Sequence, residues 1–330
     1  MNIAVLGGGS WGTTLADLLA RKGNTIRLWI RDPEQARLVA SQRVNDRYLP
    51  GVELCPSLRV CWDIGEVMQG AQCVLVAVPS QFIREVLSRH KHLFPEHGVV
   101  VCASKGVENR TLQPMSRVVA ESLEGKSPRY AILSGPSFAQ EVSRQLPTAV
   151  SLGCEDRQLA HTLRDVLSTD FFRVYTTPDF KGVELGGAVK NIMAIGSGIA
   201  DGLQFGHDAR AALITRGLAE MSRLGRAMGA QERTFMGLSG MGDLVLTCTG
   251  DLSRNRQVGL KLGQGQKLEK ILASMRMVAE GVRTTRSVYG LGREYGIELP
   301  ITEQVYKVLY EDKDPRAAVQ ELMQRSLKDE

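Results

Sequence analysis

Several features are missing from these 330 residues. No stretch approaches the roughly 18 uninterrupted apolar residues of a membrane-spanning helix. Met1 to Leu6 lead directly into a strand-like run, so neither a signal peptide nor an anchor is expected, and the chain reads as cytoplasmic with no stable membrane insertion. No run of about five or six like charges occurs. The net charge of +5 at pH 7 is scattered, which argues against nucleic acid as a partner and leaves room for a small anionic ligand. None of the six cysteines (positions 55, 61, 73, 102, 154 and 248) forms a CxxC pair or a zinc-like spacing, and several lie in apolar runs, so they read as reduced core thiols. His90, His92 and His97 cluster loosely without a carboxylate or cysteine at ligand spacing, and no metal is expected. Internal repeats and low-complexity segments are absent too. What remains is an ordinary globular composition, 43% hydrophobic and 23% charged, long enough for two domains of roughly 150 residues.

Up to about residue 182, short apolar runs alternate with helical patterns. The runs at 2–7, 25–30, 58–63, 73–79, 99–104, 130–135 and 148–153 are short and continuously apolar, which suits strands covered by helices on both faces. "FFRVYTT" (171–177) adds a further strand at an edge. The expected architecture is α/β, a doubly wound and mostly parallel sheet over residues 1–182. From 183 to 330 the strand signals stop. Helical patterns follow at 184–203, 208–228, 253–263, 267–275, 281–295, 302–311 and 315–327, separated by glycine-rich turns such as "MGLSGMGD", and the final "RSLKDE" reads as a frayed tail. An all-helical second domain is expected.

"AVLGGGSWGTTLADLLARKG" carries Gly7-x-Gly9-x-x-Gly12 between a strand and a helix, the context in which this pattern marks a Rossmann-type dinucleotide site. Gly7 permits the tight turn, Gly9 lets the backbone approach a pyrophosphate, and Gly12 lets helix and strand pack closely. The diphosphate would sit on the helix N-terminus, with Ser10 and Trp11 inside the turn. At the end of the second strand, in "TIRLWIRDPEQ", Arg31 favours the 2′-phosphate of NADP(H), whereas Asp32 followed by Pro33 resembles a helix cap. NADP(H) is preferred and NAD(H) stays open.

Ligands of open α/β sheets bind beyond the carboxyl ends of the strands. There "VPSQF" offers Pro79, Ser80 and Phe82, "SKGVE" offers Lys105, and "LSGPSFAQEV" offers Gly135, Ser137 and Ala139. The helical half opens on "ELGGAVKNIMAIGSGIADGL", where Lys190 is the only charge between Leu185 and Ala200. Gly186 and Gly187 lie one turn before it on the same face, so a ligand could approach the backbone where the lysine emerges. Close helix packing accounts for Gly196, Gly198 and Gly202, but not for an ammonium group that is costly to bury without a partner. A desolvated lysine, its pKa lowered, suits proton transfer. Asp243, in "SGMGD", could hold it by charge or be a turn aspartate. In "GDLSRNRQVG", Ser253, Arg254 and Asn255 resemble a capped helix start whose amides and guanidinium suit a phosphate, or a plain cap. Glu280, in "MVAEGVR", could bond a cofactor ribose or cap the next helix.

The motifs "GGGSWGT", "VPSQF", "SKGVE", "LSGPSFAQEV", "ELGGAVKNIMAIGSGIADGL", "GLSGMGDLVLTCTGDLSRNRQVG" and "AEGVRT", in this order, resemble the bacterial NAD(P)-dependent glycerol-3-phosphate dehydrogenases from Met1 to about Tyr310. The resemblance implies reversible reduction of dihydroxyacetone phosphate to sn-glycerol 3-phosphate for glycerophospholipid synthesis. It implies Lys190 as the catalytic lysine, and cofactor contacts at Ser10, Trp11, Arg31, Lys105, Ala139, Arg254, Val278 and Glu280. Substrate contacts are implied at Lys105, Gly135, Ser137, Lys190, Asp243, Ser253, Arg254 and Asn255. Two rivals remain: a two-domain dehydrogenase of a 3-hydroxy acid or sugar acid, and a non-catalytic NADPH sensor. The helical domain could pair with a second copy as a homodimer.

Overall fold

The computed structural model describes residues 1–275 and 278–326. The chain forms two compact units, Met1–Lys105 with Gln113–Glu184, and Gly106–Leu112 with Leu185–Glu330.

The first unit contains the strands β1 (Asn2–Leu6), β2 (Thr25–Trp29), β3 (Val44–Asn45), β4 (Leu49–Glu53), β5 (Arg59–Cys61), β6 (Cys73–Val76), β7 (Val99–Cys102), β8 (Arg129–Ser134), β9 (Thr148–Gly153) and β10 (Phe172–Thr177). All eight runs read as strands join one sheet, in the order β10-β9-β8-β7-β6-β1-β2-β5. Neighbours are parallel except β8 and β9. Every residue of β6 and β7 is buried, as continuous apolar runs require when both faces are covered. Successive side chains divide between the two faces. Ile3 and Val5 join a core with Leu28, Leu75 and Val101, while Ala4 and Leu6 join another with Trp29, Val74 and Val76. From β1 the chain builds outward to β2 and β5, then returns past β1 to β6, which makes the β1/β6 boundary the switch point where such sheets bind ligands.

The sequence gives no sign of the β3–β4 hairpin, because "RVNDRYLPGVE" has no continuous apolar run and carries Pro50. The hairpin nevertheless braces the glycine turn. Asn45 is fully buried, and its Nδ2 donates to the Gly8 carbonyl at 3.0 Å and to Thr13 Oγ1 at 2.9 Å.

The second unit is helical. Its central helix is the part of Phe180–Gly202 that follows Glu184, and every residue from Leu185 to Ala200 is buried. A helix that is apolar all round has to lie in a core. Helices Gly206–Ala227, Arg254–Gly263, Leu268–Ser274, Glu280–Glu294, Pro300–Tyr310 and Pro315–Met323 surround it. Two short helices, Glu232–Phe235 and Asp243–Thr249, were not expected. The expected pattern at 315–327 ends as a helix at Met323; residue 327 and most of the tail lie outside the described residues, as do 276 and 277.

Glycine sets how closely the central helix can be approached. A Cβ on Gly202 would lie 2.9 Å from Gly263 Cα, and one on Gly259 would lie 2.9 Å from the Ile199 nitrogen. The central helix and Arg254–Gly263 therefore cross backbone against backbone, the close packing expected at Gly198 and Gly202. Gly186 departs from the expected room for a ligand. A Cβ there would lie 2.5 Å from the Ser239 carbonyl oxygen, so the space beside it is filled by the turn Leu238–Gly242. That turn is itself π-helical and runs straight into Asp243–Thr249, so "GLSGMGD" is a helix start and not an open loop. Among the described residues no helix is long and apolar enough to cross a membrane.

Candidate active site

The glycine turn follows β1. Gly7 has φ +122°, in the region that favours glycine, and a Cβ on it would lie 2.7 Å from the Ala77 carbonyl oxygen. A Cβ on Gly12 would run into the Gly7 carbonyl, whereas nothing lies within 4 Å of the Gly9 position. Helix Ser10–Arg21 starts at Gly9 with no side-chain cap. Its first amides have no partner within the helix, and they carry the positive end of its dipole. An uncapped twelve-residue helix opening on a glycine with open space beside it fits a dinucleotide diphosphate.

At the end of β2, Arg31 is exposed. Asp32 is the helix cap its sequence context suggests, its Oδ1 accepting from the Glu34 and Gln35 amides at 3.0 and 3.3 Å. Arg47, from the turn between β3 and β4, places Nη1 3.8 Å from Asp32 Oδ2. It is a second cation near this strand end, and the missed hairpin explains why the sequence did not single it out.

Lys105, Gly135 and Ser137 come together. Lys105 Nζ and Ser137 Oγ both donate to the Gly135 carbonyl, at 3.3 and 3.1 Å. Ala139 opens the helix Ala139–Ser143, and its carbonyl accepts from Thr14 Oγ1 at 3.3 Å, which sets it beside the helix of the glycine turn.

In the second unit Lys190 is 6% exposed. Its Nζ donates to Asp243 Oδ1 at 2.5 Å and to Thr247 Oγ1 at 2.7 Å. Asp243 is 1% exposed and is the first residue of its helix. A carboxylate this close favours the charged ammonium, the partner that burial demands. Thr247 follows Asp243 by four residues on one helical face and donates to the Asp243 carbonyl at 2.5 Å. The sequence reading missed Thr247; reading 243–249 as a helix would have found it.

Beside this cluster, Asn255 Nδ2 donates to Asn191 Oδ1 at 2.9 Å, and Asn255 Oδ1 accepts from the Gly281 amide at 3.0 Å. Ser253 caps Arg254–Gly263, accepting from the Arg256 amide at 3.3 Å. The two arginines of "SRNR" differ. Arg256 is committed to Asp201 and Asp251, at 2.7 and 2.9 Å, whereas Arg254 is exposed and donates to the Val278 carbonyl at 2.9 Å. Glu280 is the first residue of Glu280–Glu294. Among the described residues no group of three or more His, Cys, Asp or Glu side chains stands where it could hold a metal ion.

The two halves match two family descriptions, NAD-dependent glycerol-3-phosphate dehydrogenase N-terminus over residues 2–160 and C-terminus over residues 179–320. A protein of Maridesulfovibrio salexigens named glycerol-3-phosphate dehydrogenase [NAD(P)+] is 62% identical over 330 residues, covering all of both chains. One of the same name from Solidesulfovibrio magneticus is 60% identical with the same coverage. The crystal structure of glycerol-3-phosphate dehydrogenase from Coxiella burnetii is 44% identical and superposes with a TM-score of 0.95 over 98% of each chain. The chain belongs to the NAD-dependent glycerol-3-phosphate dehydrogenase family.

Proposed function

We propose that this protein is an NAD(P)-dependent glycerol-3-phosphate dehydrogenase that interconverts dihydroxyacetone phosphate and sn-glycerol 3-phosphate in the cytoplasm, its product entering glycerophospholipid synthesis. The observation that carries the chemistry is the buried cluster of Lys190, Asp243 and Thr247. Bound on the glycine turn, the dinucleotide supplies the hydride that reduces the carbonyl carbon. Lys190, as ammonium, stabilises the negative charge that builds on the carbonyl oxygen and gives it a proton; in the other direction the neutral amine takes the proton back. Asp243 and Thr247 hold Nζ in place, so little is spent on reorganisation during the step.

The substrate phosphate suits the N-terminus of Arg254–Gly263, where backbone amides and the Arg254 guanidinium are available together. Asn255, fixed by Asn191 and Gly281, suits a substrate hydroxyl. Lys105, Gly135 and Ser137 supply further polar contacts from the first unit. For the cofactor, Gly7 and Gly12 shape the turn, and Gly9, Ser10 and Trp11 hold the diphosphate on it, with Ala139, Val278 and Glu280 as further contacts. Arg31 and Arg47 favour NADP(H), and NAD(H) also serves. A second copy of the chain, paired through the helical unit, is the partner put forward.

The test follows nicotinamide absorbance with dihydroxyacetone phosphate, and with 3-oxo acids and oxidised sugar acids in parallel. Rapid oxidation with the phosphate alone is expected. Preference for a carboxylate substrate would favour the hydroxy-acid reading, and saturable NADPH binding without oxidation would favour a sensor.

A further inference from the structure

The chain leaves the first unit after Lys105 and re-enters it at Gln113, and the strap between, Gly106–Leu112, belongs to the second unit. Just before Lys105 the backbone is held by the sheet. The Ala103 amide donates to the Val76 carbonyl at 2.8 Å, and Ser104 Oγ donates to the Val78 carbonyl at 2.5 Å. Just after Lys105 the chain is held by helix Glu280–Glu294. Ser287 Oγ donates to the Val107 carbonyl at 3.0 Å, and the same hydroxyl meets the Asn109 side-chain oxygen. Val107 is 1% exposed and shares a core with Val288 and Leu291. A Cβ on Gly290 would lie 3.0 Å from Leu112 Cδ1, so helix and strap run close together at the far end too.

A serine that is 0% exposed adds little to packing that an alanine would not. What it adds is a directional bond to main chain two residues from Lys105, and that bond fixes the strap along the helix axis, where apolar contacts alone would let it slide. The same helix carries Gly281, whose amide donates to Asn255, six residues or about 9 Å along the axis from Ser287.

We infer that Ser287 is a positioning residue for the reaction, setting Lys105 by way of the strap Gly106–Leu112. The inference rests on the reading above that Lys105 meets the substrate. A long, flexible lysine can lose its placement when its backbone shifts by a fraction of an ångström, so the effect belongs to substrate binding and not to the proton step at Lys190.

The experiment is a double-mutant cycle on the full-length enzyme with dihydroxyacetone phosphate, using Ser287→Ala, Lys105→Ala and the pair. Ser287→Ala should raise KM for the phosphate about tenfold while kcat stays within about twofold. In the Lys105→Ala background it should add less than about twofold, because the group it positions is gone. Equal losses in both backgrounds, or a fall in kcat with unchanged KM as from a smaller folded fraction, would overturn the inference. If Ser287→Ala does not fold, Asn109→Ala, at a half-buried position, enters the same cycle and should show the same dependence on Lys105. An inert parent enzyme would overturn the functional reading and this inference together; an active parent with independent losses would overturn the inference alone.

Discussion

The two units hold the groups of the proposed chemistry in different ways. The first works largely through main chain: a glycine turn, the amides of an uncapped helix, and the Gly135 carbonyl that gathers Lys105 and Ser137. The second works through side chains on packed helices, with Lys190 held by Asp243 and Thr247, and Asn255 held by Asn191 and Gly281. Main-chain dipoles fixed by the fold suit an anion of constant shape and charge. Proton transfer needs a group that can change charge, and such a group stays in place only if its neighbours bond it. The contrast teaches that damage to the helical cluster should reach turnover and leave cofactor binding, and that damage at the glycine-turn end should do the reverse.

Asp243→Asn gives the largest expected separation, apart from removing the lysine itself. It removes the charge beside a buried ammonium, and turnover should fall on the order of a hundredfold while the NADPH dissociation constant changes less than about twofold. Cofactor titration by fluorescence beside steady-state rates would show it; a matching loss of NADPH binding would break the division of labour. Gly259→Ala comes next. The new Cβ would overlap the Ile195 carbonyl oxygen and press on the Ile199 nitrogen at 2.9 Å, and against backbone that cannot move aside the loss should exceed the roughly 1–3 kcal/mol usual for overpacking. In urea unfolding the loss should appear as a lower midpoint, and an unchanged midpoint would show that the two helices are not packed backbone on backbone there. Arg31→Glu probes the other side, and should weaken NADPH binding about tenfold with much less effect on NADH; equal loss for both would remove Arg31 from 2′-phosphate recognition.

Each unit also buries a carboxylate outside the proposed chemistry. Glu184 accepts from the Ser116 amide and hydroxyl and from Tyr130, and Glu220 accepts from the amides of Ile301 and Thr302 and from the Thr302 hydroxyl. Burial raises both from the usual 4.5 to about 7, the hydrogen bonds offsetting only part of the shift. The folded chain therefore keeps protons that the unfolded chain releases between those values, and these two groups lower stability as pH rises from 4.5 through 7. Glu184→Gln and Glu220→Gln should each flatten that decline in Tm against pH. The effect should be alike in the two units; a steeper decline in either variant would contradict it.

Much of this was legible in the sequence where local pattern and local structure coincide. The central strands β6 and β7 are continuous apolar runs, and the Gly7, Gly9 and Gly12 spacing carries its own geometry. Lys190 stood out because an isolated charge in an apolar helix needs a partner. Its partner Thr247 did not, because the glycines at 237, 240 and 242 looked like loop, whereas 238–242 wind into a helical turn, with Gly240 lying against the backbone of Phe235. The β3–β4 hairpin and the Ser287 bond to Val107 stayed hidden for another reason. Asn45 braces a turn more than thirty residues away in sequence, and Ser287 bonds a residue 180 positions earlier, so no local signal marks either.

The central claim is that Lys190 moves the proton while the glycine turn holds the cofactor. The most direct measurement compares single-turnover NADPH oxidation by dihydroxyacetone phosphate in the parent and in Lys190→Ala, with NADPH binding measured on the same samples. The account predicts a rate lower by about 10²–10⁴-fold with NADPH binding intact. A Lys190→Ala enzyme that keeps its cofactor and oxidises it within about tenfold of the parent would contradict it.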